Sequence, residues 1–230
     1  MALKDDLETE VAAIFREKWA RRNGTAVPAE TSLKLGNDGI ELDATVLYAD
    51  LSESTNLVDG YKDWFAAENY KAFLRCAAKI IRSEGGEIVS YDGDRVMAIY
   101  LGDSKNTQAV RTGLKINWAC KQLIQPALKK QYPQTAYVMK HTAGIDTSKL
   151  LVARAGIRGA NDLVWIGRAA NHAAKLGAES DAYPTWISKD VYDNMNSVVR
   201  ETKGTNMWKS WKWSKMNDRT IYSSTWHWSL

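Results

Sequence analysis

The sequence has little cysteine: two in 230 residues, Cys76 and Cys120, each inside a helix-like apolar pattern. That excludes a disulfide framework, and both read as buried thiols of a reducing compartment. The three histidines, His141, His172 and His227, lack metal-ligand spacing and receive no role. No apolar run approaches the ~20 residues of a membrane span. The charged opening MALKDDLETE lacks the apolar stretch of a signal peptide. A cytoplasmic chain without membrane contact is expected. Neither sign of charge dominates: the net charge of +4 suits an anionic substrate and does not by itself argue for nucleic acid. No internal repeat or low-complexity segment is present.

What is there is an ordinary globular balance, 45% hydrophobic and 25% charged, in a chain long enough for a sizeable core. Apolar periodicity predicts helices over 7–20, 63–82, 107–128 and 167–176, with a shorter one over 189–195. Residues 23–37 read as a loop. A β-branched and aromatic run predicts a strand over 44–49, ended by Asp50. Asp92-Gly93 marks a hairpin between strands 87–91 and 96–101. A second hairpin is expected across 146–149, joining 136–145 to 150–155, with further strands at 163–166 and 185–187. Helices mixed with hairpins indicate an α+β fold, a ferredoxin-like split β-α-β sheet with packed helices. The expected organisation is an N-terminal helix and loop, 1–37, followed by one catalytic domain, 38–230.

Two carboxylates stand where chemistry is easily built. Asp50 ends an apolar strand, and Asp94 sits in the turn between two strands, so a rigid sheet would hold both. Hard oxygen ligands of this kind suit Mg²⁺ or Mn²⁺ completed by substrate phosphates, and Ser54 and Thr55, in a turn entering a helix, offer backbone N–H groups to a triphosphate. On spacing alone the same residues also read as a helix cap and a turn aspartate.

Three segments, in order and at matching intervals, resemble the catalytic domain of class III nucleotide cyclases. They are Ala44-Thr-Val-Leu-Tyr-Ala-Asp-Leu51, Gly85-Gly-Glu-Ile-Val-Ser-Tyr-Asp-Gly-Asp-Arg-Val-Met-Ala98, and Ala143-Gly-Ile-Asp146 through Val164-Trp-Ile-Gly-Arg-Ala-Ala-Asn-His-Ala-Ala-Lys-Leu176. The resemblance implies that Asp50, Asp94 and the Leu51 carbonyl hold two Mn²⁺ or Mg²⁺ ions. It implies that Asn171 orients the ribose. Lys175, one helical turn on, stands where the family usually has a transition-state arginine, a point charge in place of a planar fork. In the family one subunit supplies the metal ligands and the other the Asn and transition-state residue, which implies a head-to-tail homodimer with two shared sites.

The positions that read a purine in this family are Ser90 and Val164, and neither matches an adenine or guanine code. Tyr48 supplies bulk for a smaller base, and Arg95 is a candidate donor to a base carbonyl. The chain is thereby similar to the pyrimidine cyclases of bacterial Pycsar anti-phage systems, whose product, cyclic UMP or cyclic CMP, reaches a separate effector protein. UTP is favoured over CTP because arginine donates to the O4 of uracil, where cytosine presents an amino donor. A purine cyclase and a catalytically dead nucleotide-binding module are the alternatives.

Ten tryptophans are many, and five fall in the last 23 residues among lysines. Aromatic and basic residues so mixed can bind single strands. The alternation around Trp211 and Trp213 instead favours a terminal strand pair, with no nucleic-acid partner. The family places a triphosphate-binding lysine just before its last strand, where Lys215 stands, and Arg158 is a second triphosphate candidate.

Overall fold

Long apolar runs in this chain become strands covered on both sides. The computed structural model describes residues 2–230. Its elements, in chain order, are α1 (Leu3–Arg16), β1 (Ala20–Asn23), β2 (Asp38–Leu51), α2 (Ser54–Gly60) and α3 (Asp63–Ser83). The hairpin β3 (Glu87–Asp92) and β4 (Arg95–Tyr100) leads to α4 (Lys105–Ala119), a π turn over Cys120–Ile124 and α5 (Gln125–Gln131). Then come β5 (His141–Ile157), β6 (Ala160–Ile166), α6 (Arg168–Gly177), β7 (Thr185–Ser188) and α7 (Lys189–Asn194). Two short strands, β8 (Glu201–Thr202) and β9 (Thr205–Asn206), precede the terminal pair β10 (Lys209–Trp213) and β11 (Arg219–Ser224).

The main sheet runs β10-β11-β7-β5-β2-β4-β3, with β1 added to β2 and β6 to β5. Within it β5-β2-β4-β3 are the four strands of a split β-α-β fold: β2 and β3 both run antiparallel to β4, which lies between them. The crossover from β2 to β3 is α3, and that from β4 to β5 is α4 with α5. The α+β expectation is met. Leu47, Ala49, Val96 and Ala98 pack with Phe73, Ile81 and Leu114 of α3 and α4 on one face. Leu42, Val46, Met97 and Val152 pack with Ala169, Ala170 and Ala173 of α6 on the other. Covering on both faces explains why β2 is buried along nearly its whole length and not on alternate residues, and why its 44–49 stretch reads as an apolar run.

Several expectations need correction. No hairpin turns at 146–149: β5 runs unbroken from His141 to Ile157, paired with β2 from Gly39↔Ala153 to Leu51↔His141. Asp146, Thr147 and Ser148 look like turn residues, but Asp146 is fully buried and Thr147 Oγ1 donates to the Ala44 carbonyl. The true turn comes later, at Arg158-Gly159, where Gly159 has φ +86°. Residues 136–140 carry no strand. The helix expected over 107–128 passes through the π turn and continues to Gln131. Ala20 belongs to β1 and not to the first helix, so the 1–37 lead already contributes a strand to the sheet before the expected boundary.

Both cysteines are free; Cys120 is buried and Cys76 half-buried. The terminal strands extend the sheet edge beside β7, with Trp208 and Trp213 buried, Trp211 half-buried and Lys209 and Lys212 exposed. Among the described residues no helix is long and apolar enough to cross a membrane.

Candidate active site

The register of β2 on its neighbours decides what meets what. Tyr48 lies opposite Gly144 on β5 and Met97 on β4, and Met97 lies opposite Ser90 on β3. Directly paired residues share a face, and so do residues two apart on one strand. Tyr48, Asp50, Arg95 and Ser90 therefore stand on one side of the sheet, the side covered by α6. A bulge between Ile88 and Ser90 adds a twist where the hairpin reaches Asp94.

The Arg95 guanidinium donates to Asp50 Oδ2 from Nε at 3.0 Å and from Nη2 at 2.6 Å. It also lies 5.9 Å from the Tyr48 ring centroid, within reach of a cation–π contact. Burial pushes the Asp50 carboxyl above the usual carboxylate range. Arg95 opposes that shift, while the charges of Asp94 and Asp92 add to it. Burial likewise raises the Tyr48 phenol. Asp94 Oδ2 is buried with no hydrogen-bond partner, an uncommon state for a carboxylate oxygen and one that a cation would relieve.

A cavity of about 420 Å³ opens at this end of β2, lined by Asp50, Leu51, Ser52, Thr142, Glu179 and Asp181 among others. Ser52 is tied to the residue before β5 by its N–H to the Lys140 carbonyl and to β5 itself by a 3.0 Å contact between its Oγ and Thr142 Oγ1. Among the described residues no three His, Cys, Asp or Glu side chains form a self-sufficient metal cage. Two carboxylates and a backbone carbonyl would leave the remaining positions of a divalent ion to phosphate oxygens, the arrangement Mg²⁺ accepts.

The other candidates divide. Ser54 and Thr55 begin α2, directly after Glu53, which adopts the left-handed φ of 58°. Lys215 Nζ lies 3.1 Å from Glu179 Oε1, which also accepts from Trp213 Nε1, so Lys215 is brought to the rim of the Asp50 cavity. Asn171 is exposed on α6, and Lys175, also exposed, reaches only Met216 Sδ at 3.4 Å. Neither lines the cavity with Asp50 in its own chain. Val164, on β6, is partly exposed. Arg158 is exposed at the β5–β6 turn, roughly 50 Å of extended strand from the His141 end of β5.

Sequence reasoning missed Glu179 and Thr142, which carry no local signal and are recruited only by the register of β5 and the stop after α6. It also missed a buried contact that His172 makes: Nδ1 lies 3.1 Å from Asp146 Oδ2, and Arg168 Nε lies 3.3 Å from the same oxygen. These hold α6 to β5.

The fold is that of the catalytic domains of class III nucleotide cyclases. The adenylyl cyclase CyaB of P. aeruginosa superposes with a TM-score of 0.67 at 21% identity, covering 81% of this chain and 95% of that one. No family model matches the sequence. A uridylate cyclase of Burkholderia cepacia is 50% identical over 232 residues, and one of Xanthomonas perforans 48% over 231, each alignment covering 100% of both chains. The chain belongs to the uridylate cyclase family, and it is a nucleotide cyclase.

Proposed function

We propose that the enzyme converts a pyrimidine nucleoside triphosphate, UTP in preference to CTP, to the 3′,5′-cyclic monophosphate and pyrophosphate. The observation that carries this reading is the Tyr48–Arg95–Asp50 cluster. An aromatic ring and a guanidinium crowd the face beside the first acidic residue, while the two purine-reading positions hold Ser90 and the distant Val164. The names of the full-length relatives support the same base.

In this reading the ribose 3′-oxygen bonds to the α-phosphorus as the bond to the β-phosphate bridge breaks, and the 3′-hydroxyl proton passes to solvent. Mn²⁺ or Mg²⁺ held by Asp50, Asp94 and the Leu51 carbonyl would supply charge neutralisation at the attacking and leaving oxygens. The residues do the rest. Arg95 keeps Asp50 ionised against its burial, and its Nη1, unused in that pair, is free to donate to uracil O4. Tyr48 fills the space a purine would take. Ser54 and Thr55 face the triphosphate at the start of α2, whereas Arg158, at the far end of β5, is too distant to contact it in its own chain. Lys215 neutralises the triphosphate from the cavity rim.

Asn171 and Lys175 orient the ribose and the α-phosphate from a second copy of the chain, which is why they do not reach Asp50 in their own. The product acts as a cytoplasmic alarm signal in anti-phage defence, read by a separate effector.

The test is incubation with each of UTP, CTP, ATP and GTP and Mn²⁺, with the cyclic products resolved by mass. Cyclic UMP is expected in largest amount, and Asp50→Ala is expected to lower it at least ~10³-fold, about 4 kcal/mol of barrier, with an unchanged melting temperature. A predominant purine product would overturn the base assignment. Turnover of the variant within about tenfold of wild type would overturn the role of Asp50.

A further inference from the structure

Strand β5 carries three polar residues in mid-strand, Asp146, Thr147 and Ser148, and two of their side chains reach α6. Asp146 and Ser148, two apart, share the face of the sheet that α6 covers. Asp146 is fully buried, with Arg168 Nε 3.3 Å and His172 Nδ1 3.1 Å from its Oδ2. Ser148 Oγ accepts from the Ala169 N–H at 3.0 Å, which satisfies an α6 start that has no capping side chain of its own. Arg168 Nη2 also donates to the Thr147 carbonyl at 2.6 Å and to Asp190 of α7. A buried ionic group is a poor source of stability, and its best attested use is to fix register.

Helix α6 has a register to fix. The face it lays against Leu42, Val46 and Val152 is Ala169, Ala170 and Ala173. Alanines allow close approach but raise no ridge that locks into a groove. Apolar packing therefore sets the distance of α6 from the sheet and leaves its roll to Asp146 and Ser148. Asn171 and Lys175 lie about 100° and 60° round the helix from His172, on the same side. A roll of about 20° would move a side-chain tip there by ~2 Å, and a misplacement of about 1 Å can cost ~10²-fold in rate.

We propose that Asp146 is a positioning residue for cyclisation: through Arg168 and His172 it sets the roll of α6, and thereby the aim of Asn171 and Lys175. This role rests on those proposed above for Asn171 and Lys175. Asp146 itself touches no substrate, and the half of the site that carries Asp50 and Asp94 is left alone.

Neither Asp146 oxygen accepts an aligned hydrogen bond, so charge does the holding and Asp146→Asn removes it at constant size. With UTP and Mn²⁺, kcat should fall at least ~10-fold while KM stays within about twofold. In a background carrying Asn171→Ala and Lys175→Ala the same change should cost no more than about twofold, because nothing is left to aim. Ser148→Ala, at a half-buried position, is the second probe should Asp146→Asn not fold. It should lower kcat severalfold at unchanged KM and lose that effect in the same background. Unchanged kcat in folded Asp146→Asn, or in Ser148→Ala where the first does not fold, overturns the positioning role and leaves Asn171 and Lys175 standing. Equal fold losses in the two backgrounds do the same. Turnover of the Asn171→Ala, Lys175→Ala variant within about tenfold of wild type overturns the roles of those two residues, and the positioning role with them.

Discussion

Gly144 shows how much of the site rests on one missing methyl group. A Cβ there would stand 2.2 Å from the Ala173 carbonyl oxygen and 2.3 Å from the Gly177 nitrogen, both backbone atoms of α6 that cannot swing aside. Gly144 also faces Tyr48 across the ladder, so the closeness of α6 to the sheet is set beside the Tyr48–Arg95–Asp50 cluster. Gly144→Ala should push α6 outward, at the ~1–3 kcal/mol typical of overpacking or more. That corresponds to a melting temperature lower by roughly 2–12 °C at this chain length. Gly177→Ala is the control. Its added Cβ meets nothing nearer than 3.8 Å, and alanine is the better helix former, so its melt should match or slightly exceed wild type. Equal melting of the two variants would refute the close-approach account.

Strand β5 carries a pH dependence of the whole fold. His141, its first residue, is paired with Leu51, 3% exposed, with no partner for Nε2, and burial lowers its pKa to about 3 from the ordinary 6.5. The folded chain therefore refuses a proton that the unfolded chain takes. Stability from this group is complete above pH 6.5 and is lost as pH falls towards 3, with a limiting slope of ~1.4 kcal/mol per pH unit. Urea melts of wild type and His141→Phe at pH 7, 6 and 5 should diverge, the wild type losing stability more steeply. His172, whose pKa burial also lowers, leaves a residual slope in both. Parallel curves would place the acid sensitivity elsewhere.

The same strand shows what a sequence conveys at the scale of elements. Helix periodicity located α3 and α6 to within two residues, and Asp92-Gly93 located the β3–β4 turn, because those signals are local. Asp146-Thr-Ser-Lys149 has the local chemistry of a turn and lies in mid-strand. There the pairing with β2 and the buried contact of Asp146 with His172 and Arg168 outweigh turn preference. Of the candidate site, that Tyr48 and Asp50 share a face was legible from strand alternation, while Ser90 and Arg95 were singled out through the family resemblance and only the register of β3 and β4 on β2 puts them on that face. Glu179, which links Lys215 and Trp213 to the cavity, was not, because only the tertiary fold brings a tail residue to the end of α6.

At the scale of the molecule, the two halves of the proposed site do not meet in one chain: Asp50 lines the cavity, while Asn171 and Lys175 sit exposed on another part of α6. If two copies exchange these halves, mutational defects should complement. Asp50→Ala destroys one half and Asn171→Ala the other, so each alone should be at least ~10²-fold slower. Mixed in equal amounts and allowed to exchange, half of the dimers become heterodimers. In each, one site receives both intact halves and the other receives both damaged ones. The mixture should therefore regain close to a quarter of wild-type activity, a value fixed by the counting of symmetric sites and not by any interaction strength. An additive mixture, no faster than the mean of its two components, would require the acidic cluster and α6 to act within one chain, and the exposure of Asn171 argues against that.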